Sequence, residues 1–490
     1  MTAYDEFSLE PCSINSSDKP EEACGVFGVY APEEEVAKLA YFGLYALQHR
    51  GQESAGIATF EGDTVHCYKN MGLVSQVFKE DILKTLPGDL AVGHTRYSTT
   101  GSSHRANAQP AVVETRLGTL ALAHNGNLVN TLELRQTLEK RGCDFETTTD
   151  SEMIAVAIAQ EVNSGQDWLE AAVNAFKLCS GAYSLVIGTP SGLIGTRDPN
   201  GVRPLVLGEI ETDDGKTRYV LASETCGLDI ISATYIRDIE PGELVWITEE
   251  GITSQYWAQS ERKLCIFEMI YFARPDSIMH DESLYTYRIR LGEQLAKESY
   301  VDADLVMGVP DSGIPAAIGF SEVSGIRYGE GLIKNRYVGR TFIQPTQHMR
   351  EHGIRMKLNP LKDVLNGKRV IIVDDSIVRG TTSRKIVRAL REAGATEVHM
   401  RISSPPVTHP CFYGIDTDNQ SQLIAATKTV EEIAQQIEVD SLAYLSWCGM
   451  LEATGKDPNS FCSACFNGDY PIPIPNSVKG SKLMLEKLGV

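Results

Sequence analysis

Three sets of residues have types and spacings that can do chemistry. The first begins at Cys24, which stands between a polar leader and the apolar run GVFGVY in the stretch PEEACGVFGVY, Pro20 to Tyr30. Such a cysteine is either a packing residue or a nucleophile, and a nucleophile that has to become the first residue of the chain would make residues 1–23 a propeptide. Three further polar clusters accompany it: HTRYST at His94 to Thr99, HNGN at His124 to Asn127 and TTTDSE at Thr147 to Glu152. Singly, each is explained by a buried thiol, a turn or a helix cap. Together they make an amide-hydrolysis site. An arginine and an aspartate hold the carboxylate and ammonium of a free amino acid, Asn125 and the Gly126 N–H receive an oxyanion, and the thiol attacks a carboxamide. An obvious general base is missing from the set. An α-amino group, with an ordinary pKa of about 7.7 to 8.0, does that work if cleavage after the small Ala23 exposes it on the nucleophile itself.

The second set is VIIVDDSIVRGTTS, Val370 to Ser383. An apolar strand delivers Asp374 and Asp375 to its carboxyl end, and the chain then turns through Ser376, Arg379 and Gly380 into a helix that starts with Thr381, Thr382 and Ser383. Free N–H groups and hydroxyls at a helix start, helped by the helix dipole, cradle an anion. A lone acidic pair is an ordinary solvated strand end, but the apolar strand before it and the hydroxyl-rich turn after it point to phosphate. The turn VPDSG, with Asp311, Ser312 and Gly313, is by itself an ordinary turn, but it also follows an apolar strand and suits a diphosphate. KNRYVGRTFIQP places Lys334, Arg336 and Arg340 around Gly339, as a basic lid would.

The third set is made of thiols. Cys462 and Cys465 form CSAC, while Cys265 and Cys411 stand alone. A CxxC pair by itself is compatible with zinc, redox chemistry or chance, and four thiolates hold Zn2+ or a [4Fe-4S] cluster equally well on spacing alone.

The elements that must position these residues divide the chain in two. From Cys24 to about Glu250, short strand-like stretches recur (CGVFGVY, LAVGHTR, LALAHNG, YSLVIG, RYVLAS, ELVWIT), with amphipathic helices expected over Glu33 to Gln48 and Ser151 to Val162. That is a layered α+β unit. After about Cys265 the rhythm becomes strand, loop, helix, strand, and runs such as VIIV, apolar on both faces, fit a central parallel strand in a doubly wound α/β sheet. A final helix is expected in KGSKLMLEKLG.

Composition limits what partners this machinery serves. The 490 residues carry a formal charge of -20 at a pI near 5.0, which argues against non-specific binding of nucleic acid or an anionic membrane. No apolar run approaches the roughly 18 residues of a membrane span. The acidic leader has no hydrophobic core of a secretory signal, so a cytoplasmic or equally reducing compartment is expected, in which the eleven cysteines are not a disulfide framework.

CGVFG, QHRGQESAGI, GHTRYSTTG and HNGNL closely resemble the class II glutamine amidotransferases, whose fold is the αββα sandwich of N-terminal nucleophile (Ntn) hydrolases. That resemblance implies Cys24 as nucleophile and amine base, Asn125 and Gly126 as oxyanion hole, and Arg96 and Asp150 as glutamine clamp, with His94 and His124 as structural partners. VIIVDDSIVRGTTS resembles the motif of the type I phosphoribosyltransferases. It implies that Asp374 and Asp375 face the ribose hydroxyls and Mg2+, joined at the metal by Ser312, and that the turn from Ser376 to Thr382 holds the 5-phosphate. The two halves in this order resemble the glutamine phosphoribosyl diphosphate amidotransferase family over essentially the whole chain. From that family follow a [4Fe-4S] cluster on Cys265, Cys411, Cys462 and Cys465, one Mg2+ and one cluster per subunit, feedback inhibition by purine nucleotides and a homotetramer. The expected divisions are a propeptide at 1–23, an amidotransferase domain at 24–255, a phosphoribosyltransferase domain at 256–410 and an iron-sulphur and helical region at 411–490. Cys12, Cys67, Cys143, Cys179, Cys226 and Cys448 are expected to be buried without chemistry, Cys448 being the one substitute ligand.

Overall fold

The structure is a computed structural model that describes residues 24–97, 104–211, 217–335, 358–417 and 420–475. The leader 1–23, the basic stretch from Arg336 onward and the expected helix KGSKLMLEKLG lie outside the described residues.

The first half is built of two antiparallel sheets. Strands β1 (Gly25–Tyr30), β2 (Ser54–Glu61), β3 (Thr64–Met71) and β4 (Leu90–Arg96) come before β5 (Ala111–Thr115) and β6 (Gly118–Leu128). Then follow β7 (Gly181–Thr189), β8 (Gly192–Arg197), β9 (Val206–Glu211), β10 (Thr217–Ala222), β11 (Thr234–Asp238), β12 (Glu243–Thr248) and β13 (Gly251–Tyr256). One sheet has the order β11-β9-β10-β1-β4-β2-β3, the other β13-β12-β8-β7-β6-β5.

Alternation along the strands decides what each face meets. On β1, Val26 enters the core between the sheets with Ala58, Val92, Ala123 and Val186, while Phe27 and Val29 face the helix α1 (Val36–Ala46). On β6, Ala121 and Ala123 face the inter-sheet core. Leu120 and Leu122 pack on α3 (Asp150–Asn163) and α4 (Trp168–Phe176), alongside α2 (Thr131–Lys140). The result is helix, sheet, sheet, helix. α1 is shorter than the expected Glu33 to Gln48 because Glu33 takes a left-handed φ of 72° and the chain turns before Val36.

The second half is parallel. α5 (Leu284–Glu298) precedes β14 (Leu305–Gly308), α6 (Ile314–Ser324), β15 (Arg369–Asp374), α7 (Thr381–Glu392), β16 (Glu397–Ile402), α8 (Val430–Ile437) and β17 (Ser441–Tyr444). The sheet order is β14-β15-β16-β17. Ile371 and Val373 of β15 pack toward α5 and α6, whereas Val370 and Ile372 pack toward α7 and α8. All four are fully buried, so the apolar run VIIV serves a strand covered on both faces.

Two expectations need correction. The boundary drawn at 410 cuts this sheet, because the chain leaves after β16, runs through the Cys411 loop and returns to add β17 against β16. Burial was the default for the unassigned cysteines, yet Cys67 and Cys448 are exposed. Cys67 lies on the edge strand β3, and Cys448 sits in a short helix, Trp447–Glu452, next to the exposed Trp447. Among the described residues no helix is long and apolar enough to cross a membrane.

Candidate functional site

Cys24 immediately precedes β1, the middle strand of its sheet, and the register Gly25 to Thr95 brings it beside Arg96 at the end of β4. Its thiol is 5% exposed and donates to the Tyr97 carbonyl at 3.4 Å. Burial pushes that thiol up to about 11, and the charges of Arg96, Glu53 and Asp150 all act on it. A thiol so desolvated is protonated at neutral pH and needs a base. Arg96 is buried, with its Nη1 3.3 Å from Glu53 Oε1.

From the facing sheet β6 brings Asn125 and Gly126. β5 pairs with β6 only as far as Leu122, so the strand edge beyond it has no β5 partner at Asn125 and Gly126. Asn125 is fully buried, and neither atom of its side-chain amide has a hydrogen-bond partner among the described residues. Gly126 has φ +148°, and a Cβ there would lie 2.0 Å from the Ala182 carbonyl, so only glycine lets β6 and β7 approach at this point.

Asp150 opens α3, whose start is held by Thr149 capping Glu152 and by the Glu152 carboxylate accepting from Glu146 N and Thr147 N at 2.8 Å each. Asp150 Oδ2 accepts from Leu128 N at 3.0 Å, and His124 Nδ1 stands 3.6 Å from Oδ1. Burial pushes this carboxyl up. His124 and the N–H groups of Leu128 and Ser151 outweigh that and hold it below its ordinary range. His94 is buried against the His124 carbonyl at 3.0 Å, and burial pushes its pKa down to about 3, which leaves a neutral ring that braces β4 on β6. The four polar clusters of the first half therefore meet at one end of the sandwich, except that residues 98–103 lie outside the described residues.

A second polar end is formed where the parallel strands stop. Asp374 and Asp375 are 2% and 1% exposed at the end of β15. Asp375 Oδ1 accepts from the Ser376 hydroxyl at 2.7 Å, and the Arg288 charge acts on Asp375. Gly380, at φ +79°, caps α7, which begins with Thr381 and Thr382. The turn after β14 is folded onto the same end: Val309 N donates to the Val373 carbonyl at 2.8 Å, and Gly313 packs against that carbonyl. Gly313 thus packs on the residue that precedes the acidic pair, and Lys334 Nζ lies 2.6 Å from Asp311 Oδ2. Arg379 Nη2 donates to Gln422 Oε1.

The four cysteines of the third set converge. Leu264–Cys265 and Phe461–Cys462 form a short parallel pair with Cys265 opposite Cys462. Cys265, Cys411 and Cys462 all act electrostatically on Cys465. Burial pushes Cys265 up to about 11 and drives Cys462 and Cys465 higher still. Among the described residues no three metal-binding side chains are arranged to hold a single ion.

Spacing and residue type gave no sign of the buried ionic links beneath the first site. Arg50, inside QHRGQESAGI, donates to the Cys24 carbonyl at 3.0 Å and pairs with Glu224 and Glu268; Glu268 also pairs with Arg203 at 2.9 Å. The signal available was weak: charged residues flanked by apolar ones in GTRDPNGVRP and CIFEMI.

The fold and the two polar ends define a class, a glutamine amidotransferase unit joined to a phosphoribosyl transferase unit. Residues 94–229 match the family described as Glutamine amidotransferase domain, and residues 285–403 the family described as Phosphoribosyl transferase domain. The chain is 76% identical over 481 residues to the amidophosphoribosyltransferase of Synechocystis sp., covering 98% of this chain and 97% of that one. It is 49% identical over 460 residues to the amidophosphoribosyltransferase of Bacillus subtilis, covering 92% and 95%. The solved structure of glutamine phosphoribosylpyrophosphate amidotransferase from B. subtilis complexed with ADP and GMP superposes with a TM-score of 0.86 at 48% identity, covering 92% of this chain and 98% of that one. A structure of the allosteric regulatory enzyme of purine biosynthesis gives 0.87 at 48% identity, covering 92% and 97%. The chain belongs to the amidophosphoribosyltransferase family.

Proposed function

We propose that this chain carries out the first committed step of purine nucleotide synthesis with the residues singled out above, each in the role its surroundings favour. It takes the amide nitrogen of glutamine and transfers it to C1 of 5-phosphoribosyl 1-diphosphate, giving 5-phosphoribosylamine, glutamate and diphosphate. The observation that carries the site assignment is the fully buried Asn125, whose amide has no partner among the described residues although it lies in a cluster with Cys24, Arg96 and Asp150. A buried amide without a partner costs about 1–3 kcal/mol and is retained where a ligand completes it.

In the amidotransferase half, removal of residues 1–23 frees the α-amine of Cys24. That amine takes the thiol proton, and the sulfur bonds to the glutamine carboxamide carbon. Asn125 Nδ2 and the Gly126 N–H hold the oxyanion as it forms. Arg96 holds the α-carboxylate and Asp150 the α-ammonium. Collapse of the intermediate expels ammonia and leaves a thioester, which water opens to glutamate.

In the second half, Asp374 and Asp375 hold the ribose hydroxyls, the turn from Ser376 through Arg379 and Gly380 to Thr382 receives the 5-phosphate, and Asp311, Ser312, Gly313, Lys334 and Arg336 receive the diphosphate. Ammonia bonds to C1 as the bond from C1 to the diphosphate oxygen breaks. Asp374, Asp375 and Ser312 would hold Mg2+, which when bound would supply positive charge against the leaving diphosphate. Ammonia is mostly protonated in neutral water, so its passage between the halves has to be sheltered.

Cys265, Cys411, Cys462 and Cys465 suit a [4Fe-4S] cluster. Burial holds the thiols of Cys265, Cys462 and Cys465 well above their ordinary range, and a bound cationic centre is what keeps such groups as thiolates. The four cysteines lie away from both sets of reacting residues in sequence, and the cluster is structural or oxygen-sensing. An amidotransferase domain at 24–255, a phosphoribosyltransferase unit from 256 that takes in Ser441–Tyr444, a homotetramer, feedback by purine nucleotides and a cytoplasmic location complete the reading.

Two measurements test it. Intact mass should show the loss of Met1 to Ala23, with four irons and four sulphides per chain in the native protein. Cys24→Ala should abolish glutamine-dependent diphosphate release and keep ammonia-dependent release; loss of both, or of neither, overturns the assignment.

A further inference from the structure

The loop that contributes Cys411 is bonded directly to the oxyanion-hole strand. Asn127, two residues beyond Asn125 on β6, donates its Nδ2 to the Phe412 carbonyl at 3.0 Å. Arg203 donates its Nε to the Tyr413 carbonyl at 2.9 Å. Gly414 is pressed so closely on β6 that a Cβ there would lie 3.2 Å from the Gly126 carbonyl carbon. The Tyr413 N–H points back to Cys411 Sγ at 3.4 Å, so the same four residues face the thiol set on one side and Gly126 on the other.

Arg203 extends this contact to the nucleophile. Its Nη1 pairs with Glu268 Oε1 at 2.9 Å, that carboxylate pairs with Arg50 Nη2 at 2.6 Å, and Arg50 Nε donates to the Cys24 carbonyl at 3.0 Å. Arg50, Arg203 and Glu268 are each at most 1% exposed. Buried charges of this kind keep one geometry, because any displacement leaves a charge without its partner. The chain of bonds therefore has one end on the loop behind the oxyanion hole and the other on the backbone of the nucleophile.

We propose that Arg203 and Asn127 are positioning residues for glutamine hydrolysis: they lock the Cys411–Gly414 loop onto β6, so that the seating of this loop sets the distance between Cys24 and the donors at Asn125 and Gly126. The inference rests on the roles given above to Cys24, Asn125 and Gly126. It concerns the amidotransferase half, whose strand β6 and Cys24 backbone these bonds reach. Misplacement of reacting groups by about 1 Å costs on the order of a hundredfold in rate, and loosening one anchor should cost part of that.

The test compares Asn127→Ala and Arg203→Gln with the unaltered protein. The readouts are kcat and KM for glutamine, ammonia-dependent synthesis, iron per chain, and the rate at which a chloroketone analogue of glutamine labels Cys24. The expected result is a fall of about tenfold in glutamine kcat and in labelling rate, with glutamine KM, ammonia-dependent synthesis and iron content within twofold of the unaltered protein. In chains freed of iron by Cys411→Ser, Cys24 labelling should fall to the same degree and should not fall further when Asn127→Ala is added. Unchanged kcat and labelling in Asn127→Ala would overturn the inference, as would a parallel loss of glutamine- and ammonia-dependent activity together with iron. If Arg203→Gln does not fold, Asn127→Ala decides alone, because its side chain is only partly buried. Asn125→Ala, run alongside, separates the two levels: if it keeps full glutamine kcat, the oxyanion-hole reading fails and this inference falls with it.

Discussion

Asn125→Ala should lower catalysis without lowering stability, two effects that usually move together in a buried residue. The backbone of Asn125 is held in the β6 and β7 ladder opposite Ser184, so truncating the side chain leaves the strand in place. Its amide is fully buried and has no partner among the described residues. Deleting it removes one oxyanion donor, which costs about 10²–10³ in kcat, or roughly 2.7–4 kcal/mol. The Gly126 N–H remains and keeps the loss from being complete. Glutamine KM should stay within about threefold, since the donor acts on charge that develops only after attack. Removing a partnerless buried amide returns about 1–3 kcal/mol to the folded state, offset in part by lost contacts. The thermal midpoint should hold or rise by a few degrees, at about 2–4 °C per kcal/mol for a domain of this size. The assays are glutamate release with glutamine, diphosphate release with ammonia, and calorimetry. The reasoning is refuted if glutamine kcat stays within threefold of the unaltered protein, if ammonia-dependent turnover falls with it, or if the midpoint drops by several degrees.

Two further outcomes follow from the burial of single groups. With its thiol pushed up from 9.0 to about 11, Cys24 in chains that retain residues 1–23 is about one part in ten thousand thiolate at pH 7. Its alkylation by iodoacetamide should rise about tenfold per pH unit from 7 to 10, and removal of the leader should raise the rate at pH 8 sharply; a plateau near pH 8 in unprocessed chains would contradict the burial effect. Asp375→Asn should reduce phosphoribosylamine synthesis by about a hundredfold or more with either glutamine or ammonia as nitrogen source, while basal glutamine hydrolysis persists. Selective loss of the glutamine route would contradict the placement of Asp375 at the second half-site.

Much of both half-sites is legible along the chain because their key residues are neighbours in sequence. Asp374, Asp375 and the turn to Thr382 follow an apolar run whose four residues are buried on both faces, and that pattern of apolar strand, acidic end and hydroxyl-rich helix start needs no long-range information. HNGN is similar: one short segment contains the proposed oxyanion donors and Asn127. Arg203 and Glu268 are not legible in the same way. They are 65 residues apart, Asn127 and Phe412 are 285 apart, and an arginine or glutamate in a mixed stretch reads as surface until its neighbours in space are known. The strand at Ser441–Tyr444 was missed for a related reason. It is only half-buried at the sheet edge, so it has no apolar signature, and its membership is decided by the backbone bonds it makes to β16. Cys67 shows the limit in the other direction, since a cysteine's type predicts burial but its place on the edge strand β3 exposes it.

The four thiols are one set only by family resemblance, whereas the sequence by itself determined the division into a layered α+β half and a parallel α/β half and singled out Cys24 as a candidate nucleophile and Asp374 and Asp375 as a candidate anion site. These rest on residue type, period and short spacing, which the local chain encodes. Tertiary structure alone decided the state of those groups. It desolvates Cys24, leaves the Asn125 amide without a protein partner among the described residues, neutralises His94, and joins the Cys24 backbone through Arg50, Glu268 and Arg203 to the Cys411 loop. Solvation and the pairing of buried charges depend on everything packed around a group, and the packing brings together segments that are remote in sequence.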